Sequence, residues 1–280
     1  MRKAEGGGRK TGDGKRRVKQ VRGCVYRVPA FRFPAFPPMS QIPHLFKREF
    51  LGYFRSPVAY VFLVVFLIAS VGCAFFLGGF FNGNVASLES YFGFLPWLFI
   101  AFIPAAGMRL WSEEKRSGTI ELLFTLPVTT LEAVVAKFLA AWAFLCLSIL
   151  LSFPMVLTVA YLGDPDQGII VSSYLGSMLL AGGYLGVCSL TSAFTKNQVI
   201  SFVISVFVCF VLVLLGWSVF TDFLGGYLAL PSWLVDVISN FSFKSHLDGF
   251  VKGIVDPKDV VFFLSLTGFC LSLNVLALDH

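Results

Sequence analysis

Apolar residues along this chain come in long blocks instead of recurring at amphipathic spacing. Residues 58–81 and 199–220 contain no charged side chain, so a helix built from either is apolar all the way round. Crossing a hydrocarbon core of about 30 Å takes roughly 20 residues, and lipid offers no partner for an unpaired backbone group. Six segments meet or approach that length: 58–81, 94–110, 134–161, 172–194, 199–220 and 260–278. The pattern predicts an all-α membrane protein with six transmembrane helices. The third segment is long and holds Pro154, which predicts a tilt or kink near its outer end.

Basic residues flanking the spans set the orientation, because Lys and Arg are retained on the cytoplasmic side. Lys47, Arg48 and Arg55 precede the first span, Arg109, Lys115, Arg116 and Lys137 surround the connection from the second to the third, and Lys196 marks that from the fourth to the fifth. The connections between spans one and two and between three and four hold only Glu89, Asp164 and Asp166. Both termini are therefore expected in the cytoplasm. The last outer connection, 221–259, holds Lys244, Lys252 and Lys258 but more acids than bases, and long connections weigh less in the rule. Within it Trp233, Leu234, Val237, Ile238 and Phe241 share one helical face, and Leu247, Phe250, Val251 and Ile254 repeat the pattern after a break at 242–245. Two short outer helices are expected, lying in the interface or dipping into it, either as a cap on the bundle or as part of an exit route.

Composition agrees with this picture, with 56% of the 280 residues apolar, but the formal charge of +6 needs to be located. Before Met39 there are eleven Lys or Arg against Glu5 and Asp13, net +9, whereas the remainder is net −3. The segment 1–38 is rich in Gly, Lys, Arg and Pro and is expected to be disordered, ahead of a membrane domain at 39–280. Three readings stay open for it: an extension upstream of a true start at Met39, a cytoplasmic basic arm on anionic lipid, or a nucleic-acid arm. The last is disfavoured, since no aromatic platform or recognition fold accompanies the charge, and no nucleic-acid partner is expected.

Candidate chemistry is sparse. Cys73, Cys146, Cys188, Cys209 and Cys270 lie in apolar spans and Cys24 in the basic segment, without metal-ligand spacing or a disulfide framework. His44, His246 and His280 all lie outside the spans, Arg109 and Lys137 sit at span ends, and Asn274 is the sole amide deep in a span. A proton- or sodium-coupled carrier would need ionisable groups within the membrane. The stretch Gly8 to Arg16 has the wrong glycine spacing for a phosphate loop and Arg16 where Ser or Thr would hold magnesium, so the chain is expected not to hydrolyse ATP itself. No cofactor or metal is expected. The small residues at Gly182, Gly183 and Gly186 and at Ala101 to Ala105 permit close helix approach, more often within a subunit than at a dimer seam.

The most polar stretch of the membrane part is Ser112-Glu113-Glu114-Lys115-Arg116-Ser117-Gly118-Thr119-Ile120-Glu121, followed by Leu122-Leu123-Phe124-Thr125-Leu126-Pro127-Val128-Thr129. Ile120, Leu123 and Phe124 share a side, with the charged knot ahead of Gly118, so the segment is expected along the membrane surface with charges offered to a cytoplasmic partner. Together with Lys137 at the head of the next span, this stretch resembles the segment after the second span of ABC-2 type transporter permeases, and is most similar to the gliding-motility-associated and copper-maturation branch. His44 to Phe50, with Arg55-Ser56-Pro57, is similar to the family's amphipathic N-terminal helix leading into the first span.

The resemblance implies a mechanism. Two permease chains, as a homodimer or a pair of paralogues, work with a separate cytoplasmic ABC ATPase subunit in the inner membrane, among membrane lipids. A coupling helix after the second span rests in a groove of the ATPase, and nucleotide-driven closure rocks the bundle between inward- and outward-facing states. Carried onto this sequence, the ATPase-coupling candidates are Glu113, Glu114, Lys115, Arg116, Gly118, Thr119 and Glu121. The short outer helices between spans five and six also accord with the family. The alternative is a non-transporting membrane anchor of a motility or secretion apparatus.

Overall fold

The computed structural model describes residues 42–77, 87–119, 129–163, 165–217, 219–220, 222 and 231–279. Among the described residues the chain is helical, without a strand. In order run α1 (Ile42–Arg55), α2 (Pro57–Gly72), α3 (Glu89–Gly107), α4 (Arg109–Ser117), α5 (Thr130–Leu150), α6 (Phe153–Leu162), α7 (Gln167–Phe194), α8 (Gln198–Leu214), α9 (Ser232–Ser239), α10 (Phe243–Val251) and α11 (Pro257–Asp279). The basic segment 1–38 and the end of the first expected span, 78–81, lie outside the described residues.

Among the described residues, five stretches are long and apolar enough to cross a bilayer: Pro57–Phe76, Glu89–Ser117, Thr130–Leu162, Gln167–Phe194 and Pro257–Asp279. They fall on five of the six expected spans. The remaining one, 199–220, contains α8, whose 17 residues rise roughly 25 Å, less than a core of about 30 Å.

Local chemistry explains where the helices begin. Pro57 occupies the first turn of α2, where its missing N–H is no loss, and separates it from α1. Thr129 and Glu132 form a complete capping box at the head of α5, the Glu132 N–H donating to Thr129 Oγ1 at 3.2 Å and the Thr129 N–H to Glu132 Oε2 at 3.1 Å. Asp166, Asn197 and Ser242 accept backbone N–H bonds at the starts of α7, α8 and α10. The kink expected from Pro154 is present: the helix stops after Leu150 and resumes at Phe153. Ser152 in the gap donates to the Ile149 carbonyl at 2.6 Å and meets the Tyr174 hydroxyl at 3.0 Å, satisfying polar groups the break would strand.

α7 forms the centre of the bundle, packing on α3, α5, α8, α10 and α11. A methyl group added at Gly182 would sit 3.2 Å from the Trp142 indole nitrogen of α5, and one at Gly186 3.4 Å from Cys270 Cβ of α11. The glycine run is thus a packing surface within one chain. Asn274 of α11 is fully buried and donates to Ser189 of α7, so the amide ties two helices together instead of facing a ligand path.

The two helices before α11 behave differently from each other. Trp233 and Val237 of α9 are exposed, as expected of an interfacial helix. α10 is buried: Phe243, Leu247 and Phe250 are shielded, Phe243 packs on Tyr184 in the second half of α7, and Phe250 lies over Gly176. Ser172 and Ser173 donate to the Phe250 carbonyl at 2.8 and 3.3 Å, supplying partners to a carbonyl in the last turn of this helix. The break expected at 242–245 falls at 240–242, because the Ser242 hydroxyl caps α10 and Phe243 already belongs to the helix. Ile254, expected on the same apolar helical face as Leu247, Phe250 and Val251, lies exposed beyond the helix end, where Gly253 takes φ 84°.

Candidate functional site

The charged knot is the end of the second long helix. Residues 112–117 belong to α4, in the Glu89–Ser117 stretch, and Gly118 closes it at φ 71°, a left-handed conformation that glycine adopts without strain. The amphipathic half, 120–128, lies outside the described residues, and Glu121 with it.

A break at Met108 separates α3 from α4, one turn after Pro104. The N–H groups of Trp111 and Ser112, at the start of α4, donate to one acceptor, the Ser192 hydroxyl of α7, at 3.0 Å each. That hydroxyl in turn donates to the Met108 carbonyl at 3.0 Å. A side chain 80 residues downstream therefore caps α4. Further along, the Lys115 ammonium donates to the Ala193 carbonyl, where the free carbonyls at the end of α7 favour a cation.

The other face of α4 carries an ion-pair junction. Lys137 Nζ of α5 lies 2.5 Å from Glu114 Oε1 and 3.8 Å from Glu49 Oε2 of α1, so three elements meet at one ammonium. The Lys137 side chain is 6% exposed, while the two carboxylates retain 24% and 25% of theirs. The ammonium also sits 5.1 Å from the ring centroid of Trp111, itself fully buried. A buried cation is tolerated only when paired, and here a double carboxylate environment and an aromatic face supply the pairing. α1 is held to the same region by Tyr53, stacked on Phe144 of α5 with centroids 5.0 Å apart.

The structure thus sorts the sequence candidates. Glu114 and Lys115 are engaged inside the chain, Gly118 is the helix terminator, and Glu113, Arg116 and Thr119 are exposed. Thr119 shares a hydrogen bond with the Ser117 hydroxyl at 2.8 Å. Sequence reasoning noted Lys137 only as a residue at the head of a span. It missed Glu49, Trp111 and Ser192. For Glu49 a signal exists, an acid among basic residues on the amphipathic α1; for Ser192 there is none, because the partner it caps is distant in sequence.

Among the described residues no group of His, Cys, Asp and Glu is arranged to hold a metal ion. No curated protein shows significant similarity to the chain. Residues 45–216, more than half of the chain, match the profile described as ABC-2 family transporter protein. That match covers α1 through α8, including the capped helix end and its ion-pair junction. This multi-pass membrane chain belongs to the ABC-2 family of transporter proteins.

Proposed function

We propose that the chain is the permease subunit of an ATP-driven exporter in the inner membrane, with both termini cytoplasmic and α8 completing a sixth span. A separate ATPase subunit docks on the exposed tip of α4 and the segment after Gly118, and a second permease completes the assembly. The finer likeness, to gliding-motility-associated and copper-maturation permeases, rests on the stretch from Glu113 to Leu123 and on Leu126 to Thr129.

The observation that carries this reading is the division of labour within α4. Glu113 and Arg116 are exposed and available to a partner, whereas Glu114 and Lys115 grip α5 and α7. A tip that is free outward and clamped inward passes a push from a docked subunit to the bundle: Lys115 and Ser192 carry it to α7, and the Glu114–Lys137–Glu49 junction carries it to α5 and α1. The described coupling candidates accordingly divide into docking residues (Glu113, Arg116, Thr119) and residues that transmit or terminate (Glu114, Lys115, Gly118); Glu121, outside the described residues, is assigned to docking from the sequence alone.

Co-purification with the ATPase subunit tests the docking half. Glu113→Ala/Arg116→Ala is expected to lose the ATPase while the permease remains folded. Retention of the ATPase at wild-type stoichiometry would move the docking site elsewhere.

A further inference from the structure

A cleft of about 480 Å³ opens beside the ion-pair junction, within the range of about 300–1,000 Å³ typical of ligand sites. One end is apolar and aromatic, formed by Tyr53 of α1, Phe62 of α2 and Phe144 of α5. The other end is charged, with Glu49 of α1 and Arg109 and Glu113 of α4 on its wall. The lining runs from Ser56, at the head of the first span, to Phe62, a depth of about 9 Å at 1.5 Å per residue. Beside it Val58 and Val61 are more than half exposed on an apolar helix, the face expected to meet lipid. The cleft is therefore polar at headgroup level and apolar one to two helical turns deeper.

The charges in this cleft are not all committed. Lys137 is held by Glu114 at 2.5 Å, and Glu49 is shared between Arg48 at 2.8 Å and Lys137 at 3.8 Å. Arg109 and Glu113 have no ion-pair partner among the described residues, although they are four residues apart and so on one face of α4. An anion on Arg109 thus finds a carboxylate waiting one turn away for a cation. A zwitterion with its phosphate and its ammonium two methylenes apart fits that pair. A net-anionic headgroup would bring its charge up to Glu49 and Glu113, and a quaternary ammonium has no N–H to donate to them.

We propose that this cleft holds one phosphatidylethanolamine-type lipid of the adjoining leaflet. Its phosphate rests on Arg109, its primary ammonium between Glu113 and Glu49, and the head of one acyl chain against Tyr53, Phe62 and Phe144. The proposal needs only that the chain spans a bilayer; Glu113 is shared with the docking set, so its test is made on the chain without the ATPase.

Native mass spectrometry of the full chain released from nanodiscs of equal phosphatidylethanolamine and phosphatidylglycerol tests it. Wild type is expected to retain one phosphatidylethanolamine with a preference of about tenfold, and Arg109→Gln/Glu113→Gln to fall to parity. Gly52 lines the same cleft, and a Cβ there meets nothing within 4 Å, so the larger side chain of Gly52→Trp is expected to fill the space and expel the lipid with every charge intact. Soluble glycerophosphoethanolamine is expected not to displace it. Equal retention of the two lipids by wild type, a preference that survives both variants, displacement by the soluble headgroup, or a cleft that retains no lipid because residues 120–128 occupy it would each overturn the proposal.

Discussion

Replacing Lys137 with methionine keeps the length of the side chain and removes the ammonium on which α1, α4 and α5 converge. Losing one partner of a fully buried ion pair costs about 3–5 kcal/mol, because the other charge is left without compensation. Glu114 and Glu49 each keep about a quarter of their exposure and Glu49 keeps Arg48 at 2.8 Å, so water reaches both carboxylates and the expected cost falls to about 1–3 kcal/mol. For a bundle of this size that is a shift of roughly 2–4 °C per kcal/mol. Glu114→Gln alone is expected to cost less, since Lys137 keeps Glu49 and the Trp111 face. The double variant leaves no unpaired cation and one fewer stranded anion, so its cost is expected to fall short of the sum by about 1–2 kcal/mol. Unfolding in mixed detergent micelles, followed by tryptophan fluorescence with buried Trp111 as a reporter, measures all three. Additivity within about 0.5 kcal/mol would refute the junction as a coupled unit.

Four further outcomes follow from the packing. Ser192→Ala is expected to destabilise the chain by about 1–2 kcal/mol and to speed amide exchange at Trp111 and Ser112, whose N–H groups lose their acceptor. Gly118→Ala is expected to cost about 1 kcal/mol through its positive φ, read as fraying of α4 by hydrogen exchange. A Cβ at Gly176 would lie 2.6 Å from both Cβ and Cγ of Phe250, so Gly176→Ala is expected to cost about 1–3 kcal/mol, measured by thermal unfolding. At the opposite face His246 has both ring nitrogens on acceptors, Asp259 Oδ1 at 2.7 Å and the Asn240 carbonyl at 2.8 Å. His246→Phe is expected to keep the stack on Phe262 but strand the buried Asp259, at about 1–3 kcal/mol, with Asp259→Asn in the same chain restoring much of it.

The spans were legible because lipid punishes charge and unpaired backbone over a fixed thickness, and five long helices lie where apolar blocks predict them. Pro154 marked its kink for a similarly local reason. The sequence left the choice open where a helix is amphipathic for an interior instead of a surface. The Leu247, Phe250 and Val251 stripe of α10 reads the same whether it faces lipid headgroups or α7, and only Ser172, Ser173 and Gly176 on the other side decide it. The charged knot was legible in part for a related reason: four consecutive charges read alike as offered to a cytoplasmic partner, yet two of them satisfy partners on α5 and α7 within α4. The Ser192 cap joins residues far apart in the chain, and no spacing rule reports such a pairing.

The account rests on a separation between docking, by the outward-facing residues of α4, and transmission, by those that grip the bundle. It is tested most directly by Glu114→Gln, a change at a position committed to Lys137 inside the chain. The affinity of the reconstituted permease for its ATPase subunit and the ATP turnover of the complex are measured on the same preparation. The account predicts wild-type affinity with turnover reduced several-fold. Affinity weakened in step with turnover, or both left unchanged, would contradict it.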